Sequence, residues 1–231
     1  MLVYMYINHV PVYQKEVKMD RKKGIYEIKV EDEIFCVRES VPYMEPVNGE
    51  YTIEDYYKLP EDQRFELIDG YLYVMLAPTV LHQLIAGEIH RQIANFIYEK
   101  NGKCLPLISP IDVQLDRDNK TMVQPDVAIL CDKDKLMNRV IYGAPDFVLE
   151  VISPSTSRKD YTKKLAKYES AGVKEYWILD PYKEKLLIYD FDGENLPMIC
   201  GFDTPQGINI YNGELQIYFT KIIEWIKEYR S

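Results

Sequence analysis

Cysteine and histidine are scarce in this chain. Its 231 residues hold four cysteines (Cys36, Cys104, Cys131, Cys200) and three histidines (His9, His82, His90). No Cys-x-x-Cys pair occurs, so the spacing argues against a structural zinc site. Cysteines scattered this widely read as unpaired thiols in a reducing compartment, and a cytoplasmic protein is expected. Basic charge is also in deficit: 28 Lys and Arg stand against 37 Asp and Glu, a formal net charge of −9. That excludes a uniformly basic surface that coats nucleic acid, but leaves room for a local basic groove on an acidic body. No apolar run reaches the roughly 18 to 20 residues of a membrane helix, so a soluble chain with no membrane partner is expected. The N-terminal Met-Leu-Val-Tyr-Met-Tyr-Ile lacks the basic flank and small-residue cleavage site of a signal peptide. Internal repeats and low-complexity tracts are missing too.

What is present suits a folded globule. Hydrophobic residues make up 47% of the chain, and its length fits one large domain with a small appendage. Residues 1–49 read as a β-rich N-terminal extension: the stretch 23–37 alternates like strands, and Pro42, Pro46 and Asn48-Gly49 look like a linker. Residues 50–231 read as the main α/β domain. Thr52 caps a short helix ended by Pro60. Residues 64–75 form two strands around Asp69-Gly70. From Val80 to Lys100, apolar residues recur at helical spacing. Further strands are expected over 107–115 and 122–130, with a charged loop over 131–144. The stretch 146–179 then reads as strand, helix, strand, with Gly172 ending the helix, which predicts a right-handed βαβ crossover. More strands over 185–219 and a helix from Thr220 to Tyr229 close the chain.

Two acids stand out against this pattern. Asp126 follows a proline in Val-Gln-Pro-Asp-Val-Ala-Ile-Leu, and Glu150 lies inside Asp-Phe-Val-Leu-Glu-Val-Ile. Each sits in a strongly β-forming apolar run where an uncompensated charge is expensive. Alternation places Glu150 on one face with Val148 and Ile152, where a helix must cover it. A hard dication such as Mg²⁺ or Mn²⁺ is the natural partner for converging carboxylates, and phosphodiester cleavage is the chemistry that uses it. Glu66, between Phe65 and Leu67, is the third candidate ligand. The crossover helix supplies cations: Arg158, Lys159, Lys163, Lys164 and Lys167 fall within ten residues that contain one acid, Asp160. Asp160, Lys164 and Tyr168, spaced four apart, form one stripe that aims Lys164 at the seam where Glu150 points. Lys164 there could orient or deprotonate a water and stabilise charge on phosphorus. His82 opens the long helix and faces inward near its N-terminus, a place favourable to phosphate.

Glu66 with Gly70, His82, Gln124-Pro125-Asp126, Pro145-Asp146, Glu150-Val151-Ile152-Ser153-Pro154-Ser155, Asp160, Lys164, Tyr168 and Gly172-Val173-Lys174-Glu175-Tyr176-Trp177 together resemble the Uma-two family of restriction endonucleases. That family lies within the PD-(D/E)XK nuclease superfamily. The resemblance runs from about residue 51 to residue 180. It implies a restriction-endonuclease-like core, a central mixed β-sheet flanked by helices, with extra N-terminal and C-terminal strands. It implies Asp126, Glu150 and Glu66 as ligands of Mg²⁺ or Mn²⁺. Lys164 would stand in for the lysine that the superfamily carries two residues after its second acid, where this chain has Ile152. His82, Lys163, Tyr168 and Gln124 complete the set expected to touch substrate. The function expected is endonucleolytic hydrolysis of DNA, with a homodimer expected by analogy. The alternative is a catalytically inactive nuclease-like fold that binds nucleic acid or protein.

Overall fold

In the computed structural model, residues 50–60, 63–115, 119–152, 160–193 and 196–229 are described in full, together with the backbone of five strands nearer the N-terminus. The chain divides into two compact units, 1–45 and 46–231. In the first, β1 (Tyr6–Ile7) pairs with β2 (Val10–Pro11), and β3 (Glu16–Asp20), β4 (Ile25–Val30) and β5 (Glu33–Arg38) form an antiparallel meander. The linker expected around Pro42, Pro46 and Asn48-Gly49 lies outside the described residues.

The second unit starts with α1 (Ile53–Tyr56), whose cap Thr52 exchanges hydrogen bonds with Asp55 as a capping box. A tight hairpin follows, β6 (Arg64–Ile68) and β7 (Tyr71–Met75). Its turn residues Asp69 and Gly70 both have positive φ, 52° and 80°. Two-residue hairpin turns of this kind twist with their strands, and Asp-Gly tolerates them well. Helix α2 (Val80–Glu99) begins at Thr79, whose hydroxyl accepts from the amide of His82. Its stripe of Ile85, Ile89, Ile93 and Ile97 is sealed from solvent. Burial on that scale contributes about 1.5–3 kcal/mol per side chain.

The centre is a six-stranded mixed sheet. Its members are β8 (Leu105–Ile108), β10 (Val127–Leu130), β12 (Phe147–Val151), β13 (Glu175–Asp180), β14 (Lys185–Asp190) and β15 (Met198–Cys200), in spatial order β15-β14-β13-β12-β10-β8. β12 and β13 run parallel, joined by the crossover, and every other neighbour is antiparallel. Short pairs lie outside it: β9 (Val113–Gln114) with β11 (Ile141–Tyr142), and β16 (Gln206–Gly207) with β17 (Gln216–Ile217). Alternation along β12 splits the core in two. Phe147, Leu149 and Val151 pack with α2 and the C-terminal helix Thr220–Tyr229, whereas Val148 and Ile152 pack with the hairpin and the crossover helix.

Three sequence expectations change here. The strand expected over 107–115 is two strands in different sheets, because Pro110 cannot donate to a ladder. The strand expected over 122–130 starts only after Pro125, for the same reason. The crossover helix opens as a π-helical turn, Asp160–Lys164, before its α-helical part Leu165–Ala171. Gly172 ends it with φ 90°, a left-handed cap that suits glycine. One cysteine expectation is overturned as well. Leu130 pairs with Leu105, so Cys131 and Cys104 stand opposite each other at the strand ends, and they form a disulfide. No helix among the described residues is long and apolar enough to cross a membrane.

Candidate functional site

Four segments converge at one end of the sheet. The face of β6 that carries Arg64, Glu66 and Ile68 meets β12 and the π-helical turn of the crossover. Lys164 is the hub. Its Nζ lies 2.7 Å from Glu66 Oε1, 2.8 Å from Glu150 Oε1 and 3.7 Å from Asp160 Oδ1, with the side chain 2% exposed. Two oxygens held by one nitrogen at those distances are at most 5.5 Å apart. Tyr168, one turn along, donates its hydroxyl to Glu150 Oε1 at 2.7 Å. The backbone N–H of Gln124 donates to Glu66 Oε1 at 3.0 Å.

Asp126 stands just before β10, next to Glu150. Val127 pairs with Leu149, so the antiparallel register carries Asp126 to the level of Glu150. Its Oδ2 accepts from the backbone N–H of Val151 at 2.8 Å and lies 3.1 Å from His82 Nε2. Residues 123–126 read as a strand in the sequence, yet here they are the approach to one, and that lets the carboxylate fold back onto Val151.

The electrostatics follow from burial and crowding. Burial depresses the Lys164 ammonium, but Glu150, Glu66 and Asp160 outweigh it and hold Lys164 well above the ordinary lysine range. An ammonium of that kind accepts no proton. Of the two roles expected for Lys164, charge stabilisation is the one that a raised ammonium favours. Glu150 is raised by burial, drawn back by Lys164, and raised again by Asp126, Asp160 and Glu66. Burial lowers His82, but its hydrogen bond to Asp126 and that carboxylate's charge bring it above the usual histidine value. His82 Nδ1 is buried with no hydrogen-bond partner among the described residues.

The donor set can be tested against a hard dication. Asp126 Oδ1 and Glu150 Oε2 accept no hydrogen bond from the described residues. Both side chains keep a little exposure, 11% and 5%. Two such carboxylate oxygens, one just before β10 and one on β12, fit Mg²⁺ or Mn²⁺ in kind. Glu66 differs, since its Oε1 is committed to Lys164 and the Gln124 amide. No three His, Cys, Asp or Glu side chains among the described residues are arranged to hold a metal ion.

The residues expected to touch substrate fall into two groups. Lys163 is exposed, donates to the Tyr73 hydroxyl, and lies 5.1 Å from the centroids of the Tyr71 and Tyr73 rings, whereas the His82 side chain is 16% exposed and turned onto Asp126. Tyr168 is fully buried with its hydroxyl on Glu150. Gln124 is likewise buried, and its side chain bonds to Arg64, Asp112 and Tyr56. Ser153, Ser155, Arg158 and Lys159 lie outside the described residues. Sequence reasoning passed over Glu175, which receives the Trp177 indole N–H at 2.7 Å and the Ile210 amide at 3.2 Å. The signal was in the sequence: an acid two residues before a tryptophan shares its face in a strand.

A solved structure from Anabaena variabilis, described as a putative nuclease belonging to DUF820, superposes with a TM-score of 0.63 at 19% identity, covering 76% of this chain and 98% of that one. At that identity the likeness speaks for the fold. No curated protein matches the chain. The family model described as Uma2, "Putative restriction endonuclease", matches residues 53–207, about two thirds of the sequence. The chain belongs to the Uma2 restriction-endonuclease family.

Proposed function

We propose that residues 50–231 form a Mg²⁺- or Mn²⁺-dependent endonuclease that hydrolyses phosphodiester bonds of DNA. One observation carries this: Asp126, just before β10, and Glu150, on β12, lie side by side, each with one oxygen that accepts no hydrogen bond from the described residues, and with a buried ammonium behind them. A bound dication would polarise the phosphoryl oxygens and bring a water to phosphorus. Asp126 and Glu150 would hold that ion. Glu66 and Tyr168 fix Lys164 and Glu150 in position, and Lys164 sets a permanent positive charge beside the site. In the hydrolysis a water oxygen bonds to phosphorus while the bond from phosphorus to a sugar oxygen breaks. Cutting both strands of a duplex needs two such sites, which a cytoplasmic homodimer provides simply.

A second reading is a non-catalytic module that binds nucleic acid or protein. The salt bridges of Lys164 to both Glu66 and Glu150 favour it, as does Ile152, buried in the apolar core at the place of the usual lysine. An assay on duplex DNA, single-stranded DNA and RNA, in Mg²⁺, Mn²⁺ or EDTA, separates the two. The endonuclease reading expects DNA cleavage that needs the dication and stops in EDTA. Intact DNA in every condition, or cleavage that survives EDTA, overturns it.

A further inference from the structure

Arg64 opens the strand that carries Glu66, two residues away on the same face. Its guanidinium is held by two neutral oxygens: Nε donates to Gln124 Oε1 at 2.9 Å and Nη2 donates to Ser109 Oγ at 2.9 Å. Neither partner cancels its charge, and no ion pair joins it to a described residue.

The neutral grip is built. The Gln124 amide nitrogen donates to Asp112 Oδ1 at 2.8 Å and to the Tyr56 hydroxyl at 3.1 Å. Turning the amide over would set its oxygen against the Asp112 carboxylate. The carbonyl end therefore faces Arg64. Asp112 is itself satisfied by Gln124 and by the Tyr56 hydroxyl at 2.9 Å, so it leaves the guanidinium alone. Arg64 is half-buried, oriented, and keeps N–H donors that no described residue accepts.

Its place relative to the acids gives the arrangement a direction. In the hairpin register Arg64 faces Met75, Glu66 faces Tyr73 and Ile68 faces Tyr71. Lys163 rests on the rings of Tyr71 and Tyr73. Along this face a cation therefore stands on each side of Glu66, with Arg64 towards one end and Lys163 towards the other. A polyanion crossing the acid centre would meet a positive group before it and after it.

We propose that Arg64, gripped by Gln124 and Ser109, binds a phosphate of the nucleic-acid backbone on the side of the acid centre opposite Lys163. This rests on the nuclease reading and adds a binding contact to it. A rigid fork with no carboxylate partner among the described residues suits phosphate oxygens, and such contacts carry affinity without reading sequence.

The test measures binding of a labelled DNA oligonucleotide to the full chain over a range of salt, without divalent cation. Arg64→Gln and Arg64→Met are compared with the parent, with thermal melting to confirm the fold. The expected result is binding weaker by about tenfold or more. The slope of log affinity against log salt should flatten by about 0.7 to 0.9, the value of one lost phosphate contact, and the loss should be equal for unrelated sequences. A folded variant with parental affinity and slope overturns the proposal while leaving the nuclease reading intact. A parent chain that binds no DNA overturns both. A second measurement needs no variant. Phenylglyoxal labelling of Arg64 in the parent, read by mass spectrometry, should be suppressed by the oligonucleotide. Unchanged labelling at saturating DNA counts against the proposal.

Discussion

At the scale of single residues, the centre is a charge balance. Three carboxylates within reach of one ammonium leave the cluster net negative, and Lys164 is the counter-ion that allows Glu66 and Glu150 to be buried together. Removing one partner of a buried pair strands the other, at a cost of about 3–5 kcal/mol. Lys164→Met is therefore expected to lose stability of that order in metal-free buffer, and Mn²⁺ should recover part of the loss by replacing the missing charge. Chemical denaturation with and without Mn²⁺ checks this. A variant as stable as the parent would mean that the ammonium is not the counter-ion. Asp126, Glu150 and Lys164 were legible from sequence because alternation and i,i+4 spacing fix their direction. Arg64 and Gln124 were not assignable in the same way. Their hydrogen bonds join segments up to 68 positions apart, and no local period records such pairings.

At the scale of elements, β13 shows how one acid ties a strand to the C-terminal region. Glu175 accepts from Trp177 on its own strand and from Ile210 beyond it. Burial pushes this carboxyl up to about 7 from an ordinary 4.5, against the pull of those hydrogen bonds. A raised folded value means that the folded chain binds the proton more tightly than the unfolded one. The stability linked to it is complete below about pH 4.5 and is lost as pH rises through 7. Its size is about 3 kcal/mol. Glu175→Gln removes the titration, so its deficit relative to the parent should be largest at pH 5 and shrink by pH 8. Urea unfolding at the two pH values decides, and a deficit independent of pH would contradict the assignment. The hairpin and α2 were readable because Asp-Gly and a 3.6-residue apolar stripe are local signals. The π-helical turn at 160–164 was not. Its extra residue answers to the placing of Asp160 and Lys164 beside β12, which is a tertiary demand.

At the scale of the whole molecule, an acidic chain of net charge −9 buries one ammonium, Lys164, among three carboxylates. The mixed sheet makes this possible. Its parallel step at β12 and β13 sends the crossover helix back over Glu150, and its antiparallel step at β10 brings Asp126 alongside. The βαβ reading made that architecture legible in advance. The Cys104–Cys131 disulfide was hidden, because the 27 positions between the two cysteines disappear only once β8 and β10 pair. In a reducing cytoplasm the same pair would stand as thiols. All of these layers serve one centre, and its most direct test is a single-turnover rate. Cleavage of a labelled DNA duplex in Mn²⁺ is measured for the parent, Asp126→Asn, Glu150→Gln and, as a buried-acid control outside the centre, Glu175→Gln. The account predicts that Asp126→Asn and Glu150→Gln each fall by about a thousandfold or more, a barrier increase of about 4 kcal/mol, while Glu175→Gln cuts at a rate close to the parent's. A Glu150→Gln chain that cleaves as fast as the parent would contradict it.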